Sequence, residues 1–180
     1  MKPSPVQLLQ LTFRKVCVEL DEKHCPSEPP NPLTSPFSFE GVTLKTNVGI
    51  GEREEAPAEE GNVYQLDFEL IVDNEVRHGE KGQRFSPYLI DVRVAAIVRV
   101  PPGAQKLGPP RDLGIVNGAA LLWSALREQI ANVTSRMPMG QVMLPTVHFH
   151  DLKSDAQQPA VAANAALKRP RLPERKKATE

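Results

Sequence analysis

Alternation of apolar and polar residues marks four separate stretches of this chain. Residues 6–20 (VQLLQLTFRKVCVEL) put Leu9, Leu11 and Phe13 on one face, then Val16, Val18 and Leu20 in the other phase. A strand accommodates such a slip by inserting one extra residue, so the pattern predicts a strand bulged near Arg14 and Lys15. Residues 40–50 (EGVTLKTNVGI) alternate Val42, Leu44, Thr46, Val48 and Ile50, the period of a half-buried strand. Residues 62–73 (NVYQLDFELIVD) line up Tyr64, Leu66, Phe68, Leu70 and Val72 against Gln65, Asp67 and Glu69. Residues 86–100 (SPYLIDVRVAAIVRV) do the same with Tyr88, Ile90, Val92, Val94, Ala96, Val98 and Val100, leaving Leu89, Asp91, Arg93 and Arg99 on the opposite face.

The period then changes. In residues 117–137 (NGAALLWSALREQIANVTSRM), Leu121, Leu122, Ala125, Leu126, Ile130 and Val133 recur at helical spacing. Asn117 is a candidate cap, and Pro138 stops the helix because its ring disfavours helical backbone at the residue before it. A short second helix is expected after Pro145. The connections read as a proline-rich extended crossover (residues 25–36), an acidic loop (51–61), a polar turn (74–84) and a loop (101–114). Loops between strands permit antiparallel pairing. The predicted class is α+β: a four-stranded antiparallel sheet packed against one long C-terminal helix and a short second helix. So thin a core leads us to expect that oligomerisation completes the burial.

Composition adds an asymmetry. The formal charge is zero, but residues 154–180 hold six Lys/Arg against three acids, so this segment is +3 and residues 1–153 are −3. The expected division is one folded domain over 1–153 and a disordered basic tail over 154–180. A mildly acidic folded part lacks the footprint of a nucleic-acid binder. Tail-borne binding to nucleic acid would show a steep salt dependence. Attraction of the tail to anionic lipid is a further reading. No apolar run reaches membrane-spanning length and no leader pattern is present, so a cytoplasmic protein with free Cys17 and Cys25 is expected, Cys17 as a buried strand residue. Cys17, His24, Cys25, His148 and His150 are metal-ligand types, but their spacing fits no structural zinc pattern. His24 beside Cys25 is a sequence neighbour and does not by itself make a catalytic dyad. Asn132 begins a glycosylation sequon that falls inside the predicted helix. An enzyme or small-ligand pocket would need a buried acid or base on the helix-facing side of the strands, and those faces offer none.

The order of these pieces resembles the SecB family of protein-export chaperones. Three stretches carry the resemblance. The strand starting Val63-Tyr64 has a similar start and alternation. The next strand is similar at Leu89, Asp91, the Ala95-Ala96 pair and Ile97. The helix and its exit are similar at Arg127-Glu128, Ser135-Arg136 and then Val147, His148, Phe149 and His150. The likeness spans residues 9–152. It departs where the proline falls one residue early (Pro145), where Met139-Gly140 replaces a Phe-Pro, and in the neutral overall charge. These changes touch the translocase contacts more than the fold.

The resemblance implies a homotetramer, a dimer of dimers, without cofactor or catalysis, that holds unfolded preproteins and passes them to the SecA translocase motor. No stable membrane insertion and no nucleic-acid partner are implied. It also gives a use for residues 135–149 (SRMPMGQVMLPTVHF), an apolar stretch with three methionines. Methionine's unbranched, polarisable side chain adapts to different partners, and apolar burial needs no fixed sequence. Met137, Met139 and Val142 are the expected client-binding residues on this segment, with Leu33, Phe37 and Phe39 as the facing wall. The competing reading has these residues closing the core, with Leu144 and Phe149 the clearest core members. Leu89, Asp91 and Glu19 match family positions contacting the motor, or else belong to a solvated sheet face. A SecB-like chaperone dedicated to one client, such as an antitoxin, is the narrower alternative; a small-ligand binder is the other.

Overall fold

The computed structural model describes residues 4, 6–27, 37–53, 61–76 and 82–154. Leu33, most of the acidic loop and the basic tail from residue 155 lie outside the described residues.

Four strands form one antiparallel sheet: β1 (Gln7–Leu20), β2 (Lys45–Arg53), β3 (Asn62–Val72) and β4 (Tyr88–Val100), in the spatial order β1-β4-β3-β2. A single long helix, α1 (Pro110–Thr134), follows. This is the predicted α+β class. Residues opposite each other across a ladder share a face. The buried set Tyr64, Leu66, Phe68, Leu70 and Val72 therefore continues into Val92, Val94, Ala96 and Val98, and α1 closes over it.

The phase slip in β1 is present as a register shift between Phe13 and Lys15. A second shift lies between Leu8 and Gln10. The bulge at Arg14 places Leu11 and Phe13 opposite Ala96 and Val94, and Val16 and Val18 opposite Val92 and Ile90. All four partners are members of one face, so the extra residue keeps both halves of the strand on the core side. Arg14 is turned to the open face, where its Nη1 lies 3.1 Å from Asp67 Oδ1.

Other boundaries moved. β2 begins at Lys45 rather than near Val42, which makes an isolated parallel bridge to Arg84 instead. The region expected to be a loop over 101–114 holds a 3-10 turn (Ala104–Leu107) and the first turn of α1. Asn117 is not a cap: its Nδ2 donates to the Leu113 carbonyl at 2.8 Å, inside the helix. Pro110 occupies the first turn, where a missing N–H costs nothing. Gly114, in the expected loop, and Gly118, at the start of the expected helix, both lie inside α1, although glycine weakens a helix interior by about 1 kcal/mol. Their reason is contact. A Cβ at Gly114 would stand 2.8 Å from Tyr64 Cδ2, and one at Gly118 would stand 2.8 Å from Leu66 Cδ2. The glycines let the helix axis approach β3, and they set its rotation. The buried face consequently runs through Ile115, Ala119, Leu122, Leu126 and Ile130, while Leu121 is exposed rather than core-facing. The helix ends at Thr134, before Pro138, and the short second helix is one 3-10 turn at His150–Leu152.

Candidate functional site

Thr134 ends α1 with its side chain turned inward. Its buried Oγ1 donates to the Ile130 carbonyl at 2.7 Å and accepts the Val142 N–H at 3.0 Å. Three more side chains take hold of the segment that follows. Tyr88 Oη donates to the Gly140 carbonyl at 3.0 Å, Arg127 Nε to Leu144 at 2.9 Å, and Trp123 Nε1 to Pro145 at 2.9 Å. Backbone carbonyls that no ladder satisfies are thereby paired. Val142 and Leu144 are buried, while Met143 between them is 47% exposed. Residues 140–145 are thus an extended strap that turns alternate side chains in and out.

The end of the crossover meets this strap. Phe37 pairs with Val142 through an isolated parallel bridge. Phe39, 6% exposed, shares the core cluster with Met139, 7% exposed, and Val142, 0% exposed. The Phe37 and Phe39 rings meet edge to face at 5.2 Å, and the Arg84 guanidinium lies 5.7 Å from the centre of the Phe37 ring. Phe37 and Met137 are half-buried and pack on the rim of this cluster. Five of the six residues expected in a client groove are brought to one end of the molecule; the sixth, Leu33, lies outside the described residues. Phe39, Met139 and Val142 also complete the core. Leu144 is fully buried as expected, and Phe149 packs half-buried against Phe68 and Trp123 at ring distances of 5.9 and 6.3 Å.

Glu19, Leu89 and Asp91 come together elsewhere, on the open sheet face. With Cys17, Ile71 and Asp73 they line a shallow cleft of about 220 Å³. Its floor is apolar and its rim carries carboxylates. Lys15 pairs with Asp91 Oδ2, whereas Asp91 Oδ1 is buried without a hydrogen-bond partner. Cys17 is on this face and half-exposed, not buried among core residues. Its thiol donates to Glu19 Oε1 at 3.4 Å, and this bond, with burial and the Glu19 charge, pushes the thiol pKa up. A thiol held protonated is a poor nucleophile. Both cysteines are free.

Between the two regions sits a polar node that the sequence did not disclose. Asp21, buried at the end of β1, accepts from Asn74 Nδ2 at 2.6 Å, pairs with His24 Nδ1 at 2.7 Å and accepts the Lys23 N–H at 3.1 Å. Asn74 exchanges two bonds with the Ser86 backbone, at 2.8 and 2.9 Å. The His24 ring stacks on Phe85 at 4.2 Å. Burial favours the neutral acid, but the hydrogen bonds from Asn74, His24 and Lys23 outweigh it and hold Asp21 below the usual carboxylate range. Asn74 carries the positive φ of 54° that its type tolerates. The node ties the exits of β1 and β3 to the entry of β4, the end of the sheet that carries the strap. Its only sequence signal is a set of Asp, His, Asn and Ser residues scattered across two connections.

Among the described residues no group of three or more His, Cys, Asp or Glu side chains could hold a metal ion, and no helix is long and apolar enough to cross a membrane.

No protein-family model matches the chain, and no curated protein matches it. Two solved structures are similar. One is the Mycobacterium tuberculosis Rv1957 SecB-like chaperone in complex with a ChAD peptide from the Rv1956 HigA1 antitoxin. It is 13% identical with a TM-score of 0.40, covering 80% of this chain and 91% of that one. The other is a protein of unknown function from Streptococcus agalactiae. It is 11% identical with a TM-score of 0.44, covering 78% of this chain and 97% of that one. Both are distant likenesses of chain path.

Proposed function

We propose that this protein is a SecB-like holdase chaperone, which captures extended apolar segments of unfolded proteins between its strap and the end of its crossover. The observation that carries the reading is the strap itself. Four side-chain hydrogen bonds fix its backbone, yet the side chains it presents outward or at its rim, Met143 and Met137, are apolar and adaptable. A fixed backbone lowers the ordering cost of binding, and methionine tolerates varied partners. The groove comprises Phe37, Phe39, Met137, Met139 and Val142; Leu33, also expected there, lies outside the described residues. Met143 is added on the strength of its exposure.

A homotetramer fits the unpaired outer edge of β1 and the exposed apolar residues on it, Leu8, Leu9 and Val16, together with Leu121 on α1. Long apolar edge strands are what assembly covers. Delivery to the SecA motor in the cytoplasm would use the cleft of Glu19, Leu89 and Asp91, whose carboxylate rim suits a basic partner segment. A chaperone dedicated to one client, such as an antitoxin, is the narrower form of the same proposal.

Light scattering coupled to size-exclusion chromatography tests it. The expected result is a tetramer that co-elutes with a reduced, unfolded preprotein and ignores the folded form. Met137→Ser with Met143→Ser should weaken capture about a hundredfold or more, since each methionine contributes roughly 1.5–3 kcal/mol when fully covered. A monomer, or an oligomer blind to unfolded protein, would sink the reading.

A further inference from the structure

We propose that Phe37-Ser38-Phe39 is a resident stand-in for a client: in the free protein this wall of the groove closes against the strap in the client's place, and it must move aside before a client enters between the two. The inference rests on the holdase reading and concerns regulation of that same site. Its first support is the kind of contact involved. Phe37 pairs main chain to main chain with Val142, in parallel, as an added strand does. Phe37 and Phe39 are two residues apart and their rings meet, as neighbours on one side of an extended chain do. Phe39 is buried in the core cluster that also holds Met139 and Val142, while Phe37 is half-buried at its rim. An apolar-polar-apolar segment, seated by one backbone pairing and one deep ring, is also what an unfolded client offers.

The second support is that the strap does not depend on the segment closed against it. Val142, Leu144 and Gly140 are held by Thr134, Arg127 and Tyr88, all from α1 or β4. That segment is attached differently. Downstream it is anchored where the Arg84 N–H donates to the Gly41 carbonyl at 2.8 Å and Val42 bridges Arg84. Gly41 has φ 78°, a conformation that favours glycine, and lies between this anchor and the two rings in a turn closed by the Val42 N–H donating to the Phe39 carbonyl at 3.0 Å, a bond that the displacement must open. Displacement about Gly41 would open the groove and leave both the strap and the Arg84 anchor in place.

Self-occupancy lowers apparent client affinity by the fraction of molecules that are open. Two perturbations of the full chain read that fraction. In a Cys17→Ser, Cys25→Ser background, Phe37→Cys with Val142→Cys can lock the segment down, because residues paired across neighbouring strands fall within disulfide reach. Phe39→Ala instead removes the deep ring. Two fluorescein-labelled probes are titrated by anisotropy: carboxymethylated, permanently unfolded lactalbumin, and a peptide of residues 34–43 (TSPFSFEGVT). Locking should lower affinity for the unfolded protein about tenfold or more against the same chain reduced, and Phe39→Ala should raise it several-fold over the parent and admit the peptide in trans. Equal affinities of locked and reduced protein, or a Phe39→Ala variant that gains for neither probe, would overturn the inference while leaving the chaperone reading standing. Peptide capture by Phe39→Ala without any capture of unfolded lactalbumin would uphold self-occupancy and remove the chaperone reading.

Discussion

The two walls of the cleft are built from similar residues and held in opposite ways. The strap over residues 140–145 takes four hydrogen bonds from side chains anchored on α1 and β4. Among the described residues, Phe37 at the crossover end takes one backbone bridge to the strap and the Arg84 cation over its ring, and the Phe39 carbonyl accepts only the local Val42 N–H at 3.0 Å. Composition alone would rank both as apolar loops. The difference lies in where their backbone polar groups go, and it is the basis for proposing one fixed wall and one that moves aside.

Substitutions test that separation, starting with the largest effect. Leu144→Ala removes a fully buried side chain from the strap and should cost about 2–5 kcal/mol in urea unfolding. A value under about 1 kcal/mol would mean the strap is not part of the core. Thr134→Val leaves the Val142 N–H buried without its acceptor, at a cost of about 1–3 kcal/mol. Hydrogen exchange should then speed up over the strap while the sheet stays protected.

The polar node gives a pH signature. Asp21 is held below its unfolded value, so its contribution is present above pH ~4 and is lost as pH falls through the folded pKa. Asp21→Asn should therefore lower stability at pH 7 by about 1.5–3 kcal/mol, the worth of hydrogen bonds to a charged group. The gap from the parent should narrow below pH ~4. A gap that stayed constant down to pH 3 would show that the charge is not what the node uses. Phe37→Ala, at the rim of the movable wall, should change global stability by only about 1 kcal/mol or less, yet shift client affinity. If it destabilised as much as Leu144→Ala, the two walls would not differ.

Legibility followed the same physical line. Tyr64, Leu66, Phe68, Leu70 and Val72 could be assigned to one face because a strand's period is set by its own backbone. The bulge near Arg14 was readable for the same reason, since the apolar phase records it. The first turn of α1 was read as loop because Gly114, like Gly118 at the start of the expected helix, is a poor helix former taken alone. Their value appears only once Tyr64 and Leu66 lie against them. Leu121 was misplaced with them, because the helix phase depends on that contact.

Phe37, Phe39, Met137, Met139 and Val142 could be picked out as apolar residues in otherwise irregular segments. Nothing local showed that Val142 pairs with Phe37, that Tyr88, some fifty positions away, holds Gly140, or that Met143 faces outward. The sequence by itself determined the strands, the bulge, the antiparallel class and the two apolar segments, because each rests on periodicity or on residues adjacent along the chain. The tertiary structure alone decided the helix phase, the Asp21 node and the unequal tethering of the two walls. Those depend on hydrogen bonds and close approaches between positions whose separation along the chain carries no local signal.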